Sequence, residues 1–169
     1  MGKPSILFTG GEVAGCLCLE GVTRFENELI VVPDHPTRDI EKVAKKHNLK
    51  IFDSVEKSPT TDTLLSVHSR TILSPEQLSR FRLGCWNIHP FLMDFPGKDP
   101  VGKFLRLYDG KPGPYPIHVC LHRMTSTVDG GAIKYTATGI THGKTHEEVY
   151  DSLYTLYIEL IEKFMEGLK

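Results

Sequence analysis

The chain has little cysteine and lacks any long apolar segment. Only four of its 169 residues are cysteines, too few for a disulfide framework at this length, so we expect reduced and mostly buried thiols. The N-terminus lacks a basic segment followed by an apolar stretch and a cleavage site, and no apolar run approaches transmembrane length. These absences predict a cytoplasmic protein that has no membrane partner.

Neither positive nor negative charge is in large excess. The net charge is -1, and no stretch is basic enough for a nucleic-acid footprint, so no nucleic-acid partner is expected. Hydrophobic residues make up 40% of the chain and charged residues 24%, which is typical of a globular protein. The length predicts a single domain over residues 1–169, with a core over 1–140 and a C-terminal amphipathic helix over 145–168.

Several catalytic signatures are missing as well. The sequence contains no Gly-x-Ser-x-Gly motif and no cysteine with an adjacent basic pair, which disfavours a serine or cysteine nucleophile. Gly10-Gly11 is too short for a dinucleotide-binding fingerprint. His89, His118 and His122 do not have the spacing of a recognised ligand set, so no metal is expected.

Short apolar runs alternate with helical patterns through the first hundred residues. Such alternation predicts an α/β fold with a doubly wound, mostly parallel sheet of Rossmann type, which binds ligands at the carboxyl ends of its strands. Thr37 is the expected cap of the second helix. The strands are predicted over residues 5–9, 29–32, 49–52, 64–67, 85–89, 117–121 and 132–137.

The clearest helical pattern lies near the C-terminus. Residues 145–148 have the spacing of a capping box. An apolar stripe follows, and we expect it to dock onto the sheet, with a contact in a homodimer as the alternative. The stripe consists of Val149, Leu153, Leu156, Leu160 and Phe164.

Asn87, His89 and Asp129 form the most informative pattern in the chain. Asn87 and His89 are two residues apart, so they face the same side of a regular strand. Asp129 lies forty residues after His89, in a loop between two predicted strands. Acyl transfer between two nitrogens needs an amide for the oxyanion, an imidazole to move protons and a carboxylate to tune that imidazole. Taken singly, each residue also fits an ordinary strand end or turn.

The combination of these motifs resembles a known family. Cys85 to Pro90, His122-Arg123-Met124 and residues 128–133 occur in the order and spacing of the 10-formyltetrahydrofolate-dependent formyltransferases, and Arg70 to Pro75 resembles the segment before their active-site strand. The resemblance covers residues 64–137 well and the first sixty only in outline. It implies a Rossmann-like formyltransferase of one-carbon metabolism, with 10-formyltetrahydrofolate as co-substrate and a small amine as acceptor.

The resemblance also implies roles for the catalytic residues. Asn87 would donate a hydrogen bond to the oxyanion, and His89 would shuttle protons between the attacking amine and the departing folate nitrogen. Asp129 would orient His89 and favour its charged form, or take a proton through ordered water. His122 would shape the loop that carries the aspartate.

The same resemblance places the folate pterin against two segments, largely through main-chain contacts. The first segment precedes the active-site strand, and the second leads to the aspartate. The cofactor-binding residues it implies are Arg70, Thr71, Ile72, Leu73, Thr125, Ser126, Thr127 and Val128.

The chain departs from the family pattern at the acceptor side. Residues 91–94 read Phe-Leu-Met-Asp, which alters the loop after the active-site strand. Glu12 stands where a Gly-Ser-rich cradle would hold phosphate, and its charge would repel a phosphate there. By elimination, an amino-sugar nucleotide is the preferred acceptor class. A hydrolase that releases formate, and a folate- or nucleotide-binding protein without turnover, remain as alternatives.

Overall fold

The computed structural model describes residues 2–34 and 38–168. Within these residues seven strands form one sheet in the order β3-β2-β1-β4-β5-β6-β7. The strands are β1 Ile6–Gly10, β2 Leu29–Pro33, β3 Lys50–Ile51, β4 Thr63–Val67, β5 Gly84–Pro90, β6 Tyr115–Arg123 and β7 Ile133–Thr141. The helices are α1 Glu12–Val22, α2 Ile40–Lys46, α3 Pro75–Ser79, α4 Pro100–Tyr108 and α5 His146–Glu166.

The sheet is mostly parallel, as the alternating pattern predicts. Strands β1 to β5 pair in parallel, whereas β6 and β7 pair antiparallel to their neighbours. The fold class is therefore confirmed: a doubly wound, Rossmann-like α/β sheet with a C-terminal helix. The order places the carboxyl ends of β1, β4 and β5 side by side, which is where such sheets bind ligands.

Helices cover the two faces unequally. A larger core joins one face of the sheet to α1, α2, α4 and α5, and a smaller core on the opposite face includes Leu7, Leu64, Leu73 and Cys85. No helix in residues 2–34 or 38–168 is long and apolar enough to cross a membrane. Thr37, the expected cap of α2, lies outside the described residues.

Helix α5 docks onto the sheet through the predicted apolar stripe. Thr145 and Glu148 form both hydrogen bonds of a capping box at its start. The members of the stripe are buried in the larger core against α1, β6 and β7. Burial within the chain thus accounts for the stripe.

Replacing Leu160 with alanine should lower the free energy of unfolding by about 2–5 kcal/mol, because the lost methyl groups leave a cavity in a packed core. The Leu160 side chain is fully buried in the larger core. Urea denaturation measures the loss. Glu162→Ala, at an exposed position of the same helix, should change stability by only about 0.5 kcal/mol, and equal losses in the two variants would contradict this packing.

Candidate active site

A cavity of about 520 Å³ opens at the carboxyl ends of β1, β4 and β5. It brings together the three predicted catalytic residues and most of the predicted cofactor-binding residues. Ser126 is the exception, since it is exposed and is not part of the wall. The predicted residues on the wall are Arg70, Thr71, Ile72, Leu73, Asn87, His89, Thr125, Thr127, Val128 and Asp129.

Strand β5 directs Asn87 and His89 into the cavity. The two side chains share a face of the strand because successive side chains alternate. Ile88, between them, is buried with the larger core on the other side of the sheet. An apolar anchor therefore fixes the strand while its neighbours present an amide and an imidazole to the cavity.

The loop that carries Asp129 begins away from the edge of the sheet at which the cavity lies. Because β6 is antiparallel to β5, it ends with Arg123 opposite Trp86, away from the carboxyl end of β5. The loop must fold back to bring Asp129 beside His89. Gly131 permits this path, because a Cβ there would overlap the carbonyl oxygen of Arg123.

The carboxylate of Asp129 lies between two histidines. Its Oδ2 is 3.5 Å from Nε2 of His89, and its Oδ1 is 3.7 Å from Nε2 of His122. The backbone N–H of Gly97 donates to Oδ2 at 2.7 Å, which fixes the carboxylate in place. Asp129 itself has a left-handed backbone with φ of 56°, a conformation that Asp tolerates better than most residues.

His89 has one ring nitrogen that is free to accept a proton. Its Nδ1 lies 2.8 Å from the carbonyl oxygen of Pro90. A carbonyl oxygen only accepts, so Nδ1 carries the proton and Nε2 presents a lone pair to the cavity. When Nε2 takes a proton, the negative charge of the Asp129 carboxylate 3.5 Å away stabilises the imidazolium.

Burial favours the uncharged form of the His89 imidazole. The low polarity around the ring lowers the pKa of His89, and the nearby Asp129 carboxylate only partly offsets this. The expectation that Asp129 would favour the charged form gives the correct direction for that one interaction. The balance, however, favours the neutral imidazole, because desolvation is the larger effect.

His122 orients the amide of Asn87. The Nδ1 of His122 lies 3.1 Å from the carbonyl oxygen of Arg123, so its Nε2 is free to accept. Asn87 Nδ2 lies 3.2 Å from this Nε2 and donates one of its two hydrogens to it. Burial lowers the pKa of His122, which keeps the acceptor neutral. The second Nδ2 hydrogen of Asn87 stays available for an oxyanion.

The mouth of the cavity has apolar side chains on both predicted folate segments. Ile72 is 76% exposed and Val128 is 60% exposed, and both line the wall. Exposed apolar residues that share a concave surface are typical of a ligand-binding groove. The first segment is held by Asp34, whose Oδ1 accepts from the backbone N–H of Arg70 at 3.0 Å.

Sequence reasoning missed His68 and Tyr150. Both line the cavity, with His68 hydrogen-bonded to Glu12 and in edge contact with the ring of Tyr150. His68 has a left-handed φ of 52°, which no local pattern indicated. Its partners are more than fifty residues away in the chain, so only the fold brings them together.

The altered loop at residues 91–94 is not part of the cavity wall. Phe91 turns inward instead and stacks on Phe104 at 4.6 Å between ring centroids. Residues 97–100 supply the wall on this side. Across residues 2–34 and 38–168, no cluster of three or more His, Cys, Asp or Glu side chains is arranged to hold a metal ion.

Together, fold and site define a Rossmann-like α/β protein with a cavity in which a carboxylate lies between two histidines. No protein-family model matches the chain. Among curated proteins, the methionyl-tRNA formyltransferase of Thermotoga maritima is 28% identical over an alignment of 142 residues that covers 77% of this chain and 44% of that protein. The chain thus spans less than half the length of the curated relatives it matches.

Solved structures share the fold over nearly the whole chain. Glycinamide ribonucleotide transformylase 1 from Geobacillus kaustophilus has a TM-score of 0.74 at 19% identity and covers 94% of this chain and 95% of its own. The N-formyltransferase from Helicobacter canadensis, in complex with folinic acid and dTDP-3-aminofucose, has a TM-score of 0.78 at 14% identity. The match covers 98% of this chain and 64% of that protein's chain. The resemblance to the formyltransferase family that the motifs predict is confirmed.

Proposed function

We propose that the chain is a formyltransferase that moves the formyl group of 10-formyltetrahydrofolate to a primary amine of a small metabolite. The observation that carries this proposal is the convergence of Asn87, His89 and Asp129 on one wall of the cavity. Residues 1–169 would act as one domain in this reaction. The curated relatives support the reaction class.

Each of the three side chains has a separate role in the proposed reaction. The neutral amine nitrogen attacks the formyl carbon, and the carbonyl oxygen becomes an oxyanion that accepts the free Nδ2 hydrogen of Asn87. His89 Nε2 takes the proton that the amine loses and delivers it to N10 of the folate as the C–N10 bond breaks. Asp129 stabilises the imidazolium between these two transfers.

The folate would lie at the mouth of the cavity. Ile72 and Val128 offer exposed apolar surface to a flat pterin. Folinic acid in the Helicobacter canadensis complex supports a folate co-substrate. No metal enters the proposed mechanism.

An amino-sugar nucleotide is the proposed acceptor class. The dTDP-3-aminofucose in the Helicobacter canadensis complex supports this choice. Glu12 on the cavity wall disfavours an acceptor with a phosphate beside α1. The net charge of -1 gives no support for a nucleic-acid acceptor. The cytoplasmic location and a homodimer remain predictions from the sequence.

The imidazole of His89 should titrate with a midpoint below its ordinary value of about 6.5, because burial lowers its pKa more than Asp129 raises it. Asp129→Asn removes the charge that favours the imidazolium, so the midpoint should fall further. Proton NMR of the Cε1–H signal measures both midpoints, and the signal is assigned by its loss in His89→Gln. A midpoint above 6.5, or an upward shift in Asp129→Asn, would contradict this balance.

The proposed reaction is tested by incubating the protein with 10-formyltetrahydrofolate, with and without a panel of primary amines that includes amino-sugar nucleotides. Tetrahydrofolate release is followed by absorbance. Release that requires an amine supports the transferase, and release without one indicates the hydrolase. Tight folate binding without any release would indicate a binding protein.

A further inference from the structure

We propose that Glu12 is a specificity-determining residue that selects an amine acceptor presenting hydroxyl groups beside α1 and rejects one presenting a phosphate there. The inference rests on the proposed function and extends it from a reaction class to the chemistry of the acceptor. It is carried by the way the chain holds the Glu12 carboxylate at the cavity wall.

Glu12 occupies the position that would otherwise attract an anion. It is the first residue of α1, at the end where the free backbone N–H groups and the helix dipole favour negative charge. Its side chain is about half exposed and lines the cavity. The chain therefore supplies its own anion at this helix end.

Hydrogen bonds that lead from the core to the cavity wall hold the carboxylate in place. The hydroxyl of Tyr157, which is fully buried, lies 2.6 Å from Nε2 of His68, and Nδ1 of His68 lies 3.1 Å from Oε2 of Glu12. A carboxylate only accepts, so Nδ1 donates to Glu12 and Nε2 accepts from Tyr157. Arg70 adds a contact of 3.4 Å between its guanidinium and Oε1.

These contacts occupy donors that a phosphate would need. The Nδ1–H of His68 and the guanidinium of Arg70 both face Glu12, so an incoming phosphate would meet a carboxylate whose neighbouring donors are already paired. Hydroxyl groups, in contrast, donate to the remaining lone pairs of a carboxylate. Asp99 lies on the same wall and offers a second acceptor.

Tyr150 gives this end of the cavity an apolar face. Its ring lines the wall and is supported by Tyr154, with 6.0 Å between the ring centroids and an interplanar angle of 24°. An aromatic face beside carboxylate acceptors suits a ring that has hydroxyls on its edge and C–H groups on its face. A sugar unit that carries the reactive amine fits this description.

The probes for the test are glucosamine and glucosamine 6-phosphate, which differ by one phosphate. Calorimetry measures the affinity of each for the whole protein, with and without bound 5-formyltetrahydrofolate. Wild type should bind glucosamine about five- to tenfold more tightly than its phosphate, the effect of one like charge near a partly exposed carboxylate. Glu12→Gln should remove this preference.

Two further variants distinguish an effect of the Glu12 carboxylate on acceptor choice from the general effect of removing one negative charge. Glu26→Gln removes the same charge from an exposed position between α1 and β2, where Glu26 pairs with Lys3 outside the cavity, and it should keep the wild-type preference. Tyr157→Phe removes the hydroxyl behind His68, so it should weaken the preference without abolishing it. Circular dichroism confirms that each variant is folded.

Three results would overturn the proposal: an unchanged preference in Glu12→Gln, tighter wild-type binding of the phosphate, or no binding of glucosamine at millimolar concentration. Because the readout is binding, it is separate from the test of the proposed reaction. Failure to release tetrahydrofolate would refute the transferase and leave the measured preference standing.

Discussion

His89→Gln is expected to lower kcat by about 10²–10⁴-fold, the usual contribution of a positioned general base and acid. The glutamine amide can neither take the proton of the attacking amine nor return it to the folate nitrogen. The structure fixes the basic atom, because Nδ1 of His89 is committed to the carbonyl of Pro90. Only Nε2 is left to face the substrates, so no second atom of the ring can substitute for it.

Steady-state kinetics with 10-formyltetrahydrofolate and an accepted amine measures this loss. The matched control is His142→Gln, which makes the same change at an exposed position outside the cavity and should leave kcat unchanged. Binding of 5-formyltetrahydrofolate by the His89→Gln variant would show that the folate site is intact. A kcat close to wild type in the His89 variant would remove His89 from the mechanism.

Asn87→Ala is expected to lower kcat by about 10²–10³-fold, the range seen when one oxyanion donor is removed. The donor acts only on the charge that develops in the tetrahedral intermediate, so the KM for the folate should change little. Asn87→Asp should lose at least as much activity, because a carboxylate would repel the oxyanion instead of donating to it.

Comparing the two variants distinguishes a donor from a shape-filling residue. If Asn87 only filled space, Asn87→Asp, which is nearly isosteric, would retain most of the activity while Asn87→Ala lost it. If Asn87 donates to the oxyanion, both variants lose kcat, and both still bind 5-formyltetrahydrofolate. A rise in KM with unchanged kcat in Asn87→Ala would place the residue in substrate binding instead.

Much of the fold follows from local patterns in the sequence. Apolar runs, the capping box at residues 145–148 and the stripe that begins at Val149 predict elements that the structure contains, because strand alternation and helix capping depend on near neighbours. The parallel direction of the first five strands follows from the alternation of strands with helices. The cavity position then follows from the rule that such sheets bind ligands at their carboxyl ends.

The rest depends on contacts between distant residues. The antiparallel direction of β6 sends the loop that carries Asp129 back over the sheet, and this depends on how β5, β6 and β7 pair. His68 meets Glu12 and Tyr157 only in the folded chain, since 56 and 89 residues separate them. The net preference of His89 for the neutral form also depends on burial, which the sequence pattern did not show.

The most direct test of the account follows the formyl carbon itself. The protein is incubated with 10-formyltetrahydrofolate that carries ¹³C in the formyl group, together with an amine that supports tetrahydrofolate release, and the products are observed by NMR. We expect the label in an N-formyl amide of the acceptor, with its formation lost in His89→Gln. Label that appears only as formate, or that stays on the folate, would contradict the proposed transfer.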